Sequence, residues 1–128
     1  MTRICVGLVA LTVAMSARAQ SVGDRETGIT AVYSDALDRH VTASGQLYDK
    51  TKLTAAHRTL PFGTTIKVTN LKNHTSVVLR VNDRGPFHKD RILDISAAAA
   101  VHLGFSRLGV GEVTLEVIEV GSGRRDIF

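Results

Sequence analysis

The chain has one cysteine, no tryptophan and an aromatic content of only 5% in 128 residues. A single cysteine excludes an internal disulfide framework and any zinc site built on paired thiolates. The five histidines, His40, His57, His74, His88 and His102, show no helical i,i+4 pairing with an acid, so no metal or other cofactor is expected. No glycine-rich loop of the phosphate-cradling type is present. There is no internal repeat, low-complexity block or second domain. With neither disulfides nor tryptophan, a fold of this size must rest on valine, isoleucine and leucine.

Long apolar runs are also missing, except at the start. Met1-Thr2-Arg3 is a short positive segment, Ile4 to Met15 is apolar, and Ala17-Arg18-Ala19 is a small-residue cleavage pattern. This reads as a signal peptide over residues 1–19, shorter than the ~20 apolar residues of a membrane span. Cleavage between Ala19 and Gln20 removes Cys5 and leaves a secreted or periplasmic chain without lipid anchor or stable membrane insertion. The charge balance of 16 basic to 12 acidic residues shrinks once Arg3 and Arg18 leave. The remaining excess is spread along the chain and not interleaved with aromatics, which gives no nucleic-acid footprint. An anionic polymer remains a fitting partner.

Within the mature chain, residues 20–27 and the basic tail 121–128 are polar enough to be read as flexible, leaving 28–120 as one domain. Its dominant period is two. Thr65 to Asn70 and Ser76 to Val81 form a hairpin across the Lys72-Asn73-His74 turn, Gly28 to Tyr33 is an opening strand, and Val113 to Ile118 a closing one. The one clear helix follows Ser96 as N-cap through Ala97 to Leu103 and ends at Gly104. Short strands, one or two short helices and frequent turns predict a mainly β fold closed into a small barrel, because closure removes free edges.

The densest chemistry lies at Asn82-Asp83-Arg84-Gly85-Pro86-Phe87, where an apolar strand surfaces. Asp83 can cap that turn through its own backbone, or act as an acid/base held by partial burial. His57, after Leu53-Thr54-Ala55-Ala56, can be a hydrogen-bonded structural group or a functional one. Asp94 is read as an anchor for Arg91 or for the helix N-terminus. Asn73-His74-Thr75 matches the three-residue glycosylation pattern, which matters only in a eukaryotic secretory pathway.

The blocks Thr42-Ala43-Ser44-Gly45, Tyr48-Asp49, Leu53-Thr54-Ala55-Ala56-His57, Thr59-Leu60-Pro61-Phe62-Gly63-Thr64, Val68-Thr69-Asn70-Leu71, Val81 to Phe87 and Arg91 to Ser96 resemble, in order, the rare lipoprotein A family. The resemblance implies a six-stranded double-psi β-barrel and a septal, endolytic peptidoglycan lytic transglycosylase. Such an enzyme acts on stem-peptide-free glycan strands, forms 1,6-anhydro-muramyl ends, and works as a monomer recruited by cell-division proteins. It also implies that Asp83, His57 and Gln46 occupy the catalytic positions, with Tyr33, Tyr48, Arg84 and Phe87 toward substrate. The family places a glutamate where this chain has Gln46, and an amide cannot exchange the proton a carboxyl does. The family's Trp-Tyr-Gly becomes Val32-Tyr33-Ser34, which removes an aromatic surface. The alternative reading is therefore a non-catalytic, expansin-like glycan-binding module. Half of an aspartic protease is a remote third reading, since it requires Asp-Thr-Gly and Asp83 is followed by Arg84.

Overall fold

The computed structural model describes residues 19–105 and 109–126; the expected signal peptide, apart from Ala19, lies outside them. Six strands close into a barrel in the order β1-β5-β2-β4-β3-β6. They are β1 (Arg25–Val32), β2 (Thr54–Ala56), β3 (Thr65–Asn70), β4 (Ser76–Asp83), β5 (Arg91–Ile95) and β6 (Val110–Glu119). Among the described residues a 3-10 turn at Asp35–Leu37 and one helix, α1 (Ala97–Leu103), complete the fold. β3 and β4 form the expected antiparallel hairpin. Two pairs are parallel, β1 with β5 and β2 with β4, and each requires the chain to cross the barrel between its strands. Among the described residues no helix is long and apolar enough to cross a membrane.

Period-two alternation turns one side chain in two inward. Ile66 and Val68 of β3, Leu79 and Val81 of β4, Leu93 and Ile95 of β5, and Val113, Leu115 and Val117 of β6 are all buried in one core. Each such side chain contributes about 1.5–3 kcal/mol on burial. The helix is too short to persist alone. It is held by its buried Ala99, Ala100 and Leu103, by Ser96 Oγ accepting the Ala99 N–H, and by Gly104 at φ +79°. Its last carbonyl, on Leu103, accepts from the side-chain amides of Asn70 and Asn73 at 2.8 and 3.1 Å.

Two boundaries differ from the sequence reading. β1 begins at Arg25, inside the segment expected to be flexible, because Arg25, Glu26 and Thr27 pair with Glu116, Leu115 and Thr114 of β6. The tail expected to be flexible from 121 runs back over the barrel through its main chain. The Gly121 N–H donates to Thr64 Oγ1, the Gly123 N–H to the Phe62 carbonyl, and the Asp126 N–H to the Ser44 carbonyl at 2.6 Å. Polar composition hides such anchoring, since backbone groups make it. Gly45, at φ +95°, is required beneath it: a Cβ there would collide with the Asp126 carbonyl oxygen.

Candidate active site

Asp83 ends β4 at a register shift opposite Ala56 of β2. The chain turns away immediately through a cis Gly85–Pro86 bond. Three donors converge on its carboxylate. Oδ1 accepts the Ala43 and Arg84 N–H groups, each at 2.8 Å, and Oδ2 accepts the Tyr33 hydroxyl at 2.5 Å. The Arg84 bond is the turn cap that the sequence allowed. The Ala43 and Tyr33 bonds are long-range, and they aim the carboxylate where a capping role alone needs no aim.

Tyr33 follows β1 and is fixed from behind. Its ring stacks on Tyr48 at 4.3 Å between centroids, and the Tyr48 hydroxyl accepts the Ala97 N–H at 3.1 Å. Burial pushes the Tyr33 hydroxyl well above the ordinary tyrosine range, helped by the hydrogen bond to Asp83 and the charges of Asp83 and Asp94. Tyr33 therefore remains a donor throughout the neutral range. Tyr48, expected toward substrate, is only 2% exposed and meets the site through the Tyr33 ring. Its own hydroxyl is pushed up chiefly by burial.

The loop carrying Ala43 and Gln46 is internally braced. Thr42 Oγ1 lies 2.9 Å from Ser44 Oγ and donates to the Gln46 carbonyl at 2.7 Å. The Gln46 side-chain oxygen accepts from the Asn82 amide at 3.2 Å, which ties the loop to the residue next to Asp83.

The His57 ring, at a position the resemblance makes catalytic, is engaged away from the Asp83 carboxylate. Its Nδ1 accepts the Thr59 and Leu60 N–H groups, both at 3.1 Å, which leaves Nε2 to carry the ring proton. Nε2 faces the Glu26 carboxylate at 3.2 Å. The link from His57 to Asp83 runs through the main chain, its N–H donating to the Asp83 carbonyl at 3.2 Å. Arg84 also turns aside. Its Nη1 donates to the Leu60 and His57 carbonyls at 2.7 and 3.2 Å, its guanidinium lies 4.1 Å over the Phe62 ring, and burial lowers its pKa.

Val81 faces the core, and Phe87, expected toward substrate, is 93% exposed. Sequence reasoning passed over Glu26 as the partner of His57, while Asp94 stands against Arg91 as expected, with Arg91 Nε 3.8 Å from Oδ1. Among the described residues no group of three or more His, Cys, Asp or Glu is arranged to hold a metal.

A six-stranded closed barrel with crossed parallel pairs, presenting an aspartate at the end of one of them, is a double-psi β-barrel. The profile of the family described as "Lytic transglycolase" matches residues 25–115, and the chain belongs to this RlpA-like double-psi β-barrel family. It is 50% identical over 92 residues to the probable endolytic peptidoglycan transglycosylase RlpA of Synechocystis sp., covering 72% of this chain and 29% of that protein. It is 47% identical over 98 residues to the endolytic peptidoglycan transglycosylase RlpA of Vibrio cholerae, covering 77% and 37%. The chain thus spans well under half the length of these two curated relatives. Among solved structures, Streptomyces papain inhibitor superposes with a TM-score of 0.60 at 22% identity, over 77% of this chain and 97% of that one. An expansin of Clavibacter michiganensis does so with 0.60 at 18% identity, over 78% and 53%. These two likenesses show the fold.

Proposed function

We propose that this chain is an endolytic peptidoglycan lytic transglycosylase that cuts glycan strands, preferentially those without stem peptides, and leaves 1,6-anhydro-muramyl ends. The observation that carries this reading is the Asp83 carboxylate, held by Tyr33 and Ala43 at the mouth of a barrel whose relatives are named for that activity. In the reaction the C6 hydroxyl of the muramyl residue attacks its own anomeric carbon. The C1–O bond to the next sugar breaks, the leaving oxygen takes up a proton, and the C6 hydroxyl gives one up. A carboxyl can serve both transfers in turn, and in this reading Asp83 takes that part. Gln46 positions substrate, for example through an N-acetyl group, and His57 braces the β2–β4 junction beneath Asp83. Phe87 and Tyr33 offer ring faces to sugars. Arg84 acts from behind, holding the 57–62 loop.

The same reading puts the chain in the periplasm after cleavage between Ala19 and Gln20, as a monomer brought to the septum by cell-division proteins. A second reading is favoured by one observation: Gln46, bonded to Asn82, supplies no exchangeable carboxyl proton where the family has a glutamate. It makes the groove a non-catalytic, expansin-like glycan binder.

Digestion of purified stem-free glycan strands, read by mass, separates these. Anhydro-muramyl ends are expected. Products carrying an added water would make the protein a hydrolase, and retention of strands without release would make it a binding module.

A further inference from the structure

We propose that the cavity beside Tyr33 is a subsite for a muramyl residue whose lactyl carboxyl is free, and that Lys50 is the side chain that reads this carboxylate. This inference rests on the lytic transglycosylase reading above and supplies a physical basis for its preference for strands without stem peptides.

A cavity of about 910 Å³ lies between the end of β1, the helix α1 and the start of β6. Tyr33 and Arg91 are both in its wall. The Tyr33 hydroxyl holds Asp83, so the cavity begins one tyrosine ring away from the reacting carboxyl. A glycan strand laid across Asp83 enters it with its neighbouring sugars, and every second sugar of such a strand is a muramyl residue.

The lining offers the two chemistries that this sugar needs. Val101, Phe105 and Val110 form an apolar side, and Val101 and Val110 are 77% and 62% exposed. Apolar side chains gathered around a concavity and left uncovered mark a binding surface, and the C–H face of a pyranose packs on one. The charged lining is mainly cationic, with Lys50, Arg91 and His102 against Asp35. Asp35 already has a partner, and Arg91 is shared with Asp94 at 3.8 Å. Among the described residues no ion pair engages Lys50.

Lys50 is also fixed at its root. Its N–H donates to Asp38 Oδ1 at 2.9 Å, and its carbonyl accepts the Ala98 N–H at 3.0 Å. The main chain is thereby tied to α1, and the ammonium is left to the cavity. A stem peptide joins muramic acid through an amide on the lactyl carboxyl. Its removal turns that neutral amide into a carboxylate, so one charge per muramyl residue separates the two kinds of strand. An uncommitted cation beside an apolar surface discriminates between them by its attraction to that charge.

The test uses the full chain as wild type, Lys50→Gln and Lys50→Arg, on two substrates from one preparation. One is stem-free glycan strands, and the other is the same strands with their lactyl carboxyls coupled to methylamine, which copies the stem-peptide amide without its bulk. Wild type is expected to show a KM about fivefold lower on the free-acid strands, the size of an exposed ion pair. Lys50→Gln should bring the ratio of the two KM values close to one, and Lys50→Arg should keep most of it. Loss of folding or of catalytic geometry would move both substrates together and leave the ratio in place. An unchanged ratio in Lys50→Gln would therefore overturn the role of Lys50, and a wild-type ratio near one would overturn the subsite and leave the cavity to another occupant, such as a protein segment. Titration calorimetry with the two kinds of strand gives the same ratio without turnover. Wild type that binds with the expected preference but yields no anhydro ends would uphold the subsite and overturn the reaction.

Discussion

The Tyr33 hydroxyl donates to Asp83 Oδ2 at 2.5 Å, although the two residues lie fifty positions apart, one just past β1 and the other at the end of β4, strands that are not neighbours in the barrel. Closure of the barrel brings the end of β1 to the end of β4, and the Tyr48 stack holds the ring in place. Tyr33→Phe keeps that stack and deletes only the donor. It is expected to cost about 1.5 kcal/mol of stability, as for a hydrogen bond to a charged group, and to lower kcat by about tenfold through loss of aim. Calorimetry and turnover on stem-free strands check the two numbers separately. An unchanged kcat would make Tyr33 a structural prop.

Asp83→Asn should abolish cleavage while leaving the fold and strand binding in place. The amide oxygen can keep the Ala43 and Arg84 N–H bonds, and its NH2 can donate to a Tyr33 hydroxyl that has turned to accept. Only the titrating group is lost, so the rate per folded molecule should fall ~10²-fold or more. A pull-down with purified peptidoglycan measures binding alongside. If Asp83 were only a turn cap, stability would drop and the specific rate would hold.

Local chemistry made part of this structure legible. Ser96 and Gly104 bracket α1 because capping depends on residues within one helical turn, and the hairpin from Thr65 to Val81 shows in its alternation. Asp83 stood out because a charged cluster at the end of an apolar strand is costly. Features made by distant pairing left no local trace. The pairing of Asp94 with Arg91 three residues away is local and was legible, whereas its position across Ala56 from Asp83 comes only from the register. Tyr48 looks like a loop aromatic offered to a ligand, and its burial follows from packing under Tyr33. The backbone anchoring of 121–126 cannot be read from side-chain type.

Burial of Asp94 gives a signed prediction for stability. Its pKa lies above the ordinary 3.8 in the fold, so the folded chain binds this proton more tightly than the unfolded one. The group's favourable contribution is complete below about pH 3.8 and is lost as pH rises through the folded value. Asp94→Asn should match wild type in acid and melt higher at neutral pH. The gain should stay below about 1 kcal/mol, since Arg91 and Arg58 offset part of the penalty and solvent reaches the side chain. Thermal melts across that range check it. A variant less stable than wild type at neutral pH would show that the attraction to Arg91 and Arg58 outweighs burial.

Gln46→Glu is the substitution that asks how far this chain has moved from its relatives. The new side chain retains an oxygen to accept from Asn82, so the 42–46 loop should keep its place and the fold its stability. It also adds a titratable group where the family carries one. Turnover on stem-free strands is expected to rise, by no more than about tenfold, or 1.4 kcal/mol of transition-state stabilisation, because the proposed reaction already draws on the Asp83 carboxyl. A rise of 10²-fold or more would put the missing acid at position 46. A clear fall with unchanged affinity would mean that a second negative charge repels the muramyl carboxylate, and that the amide at 46 is an adaptation to the substrate.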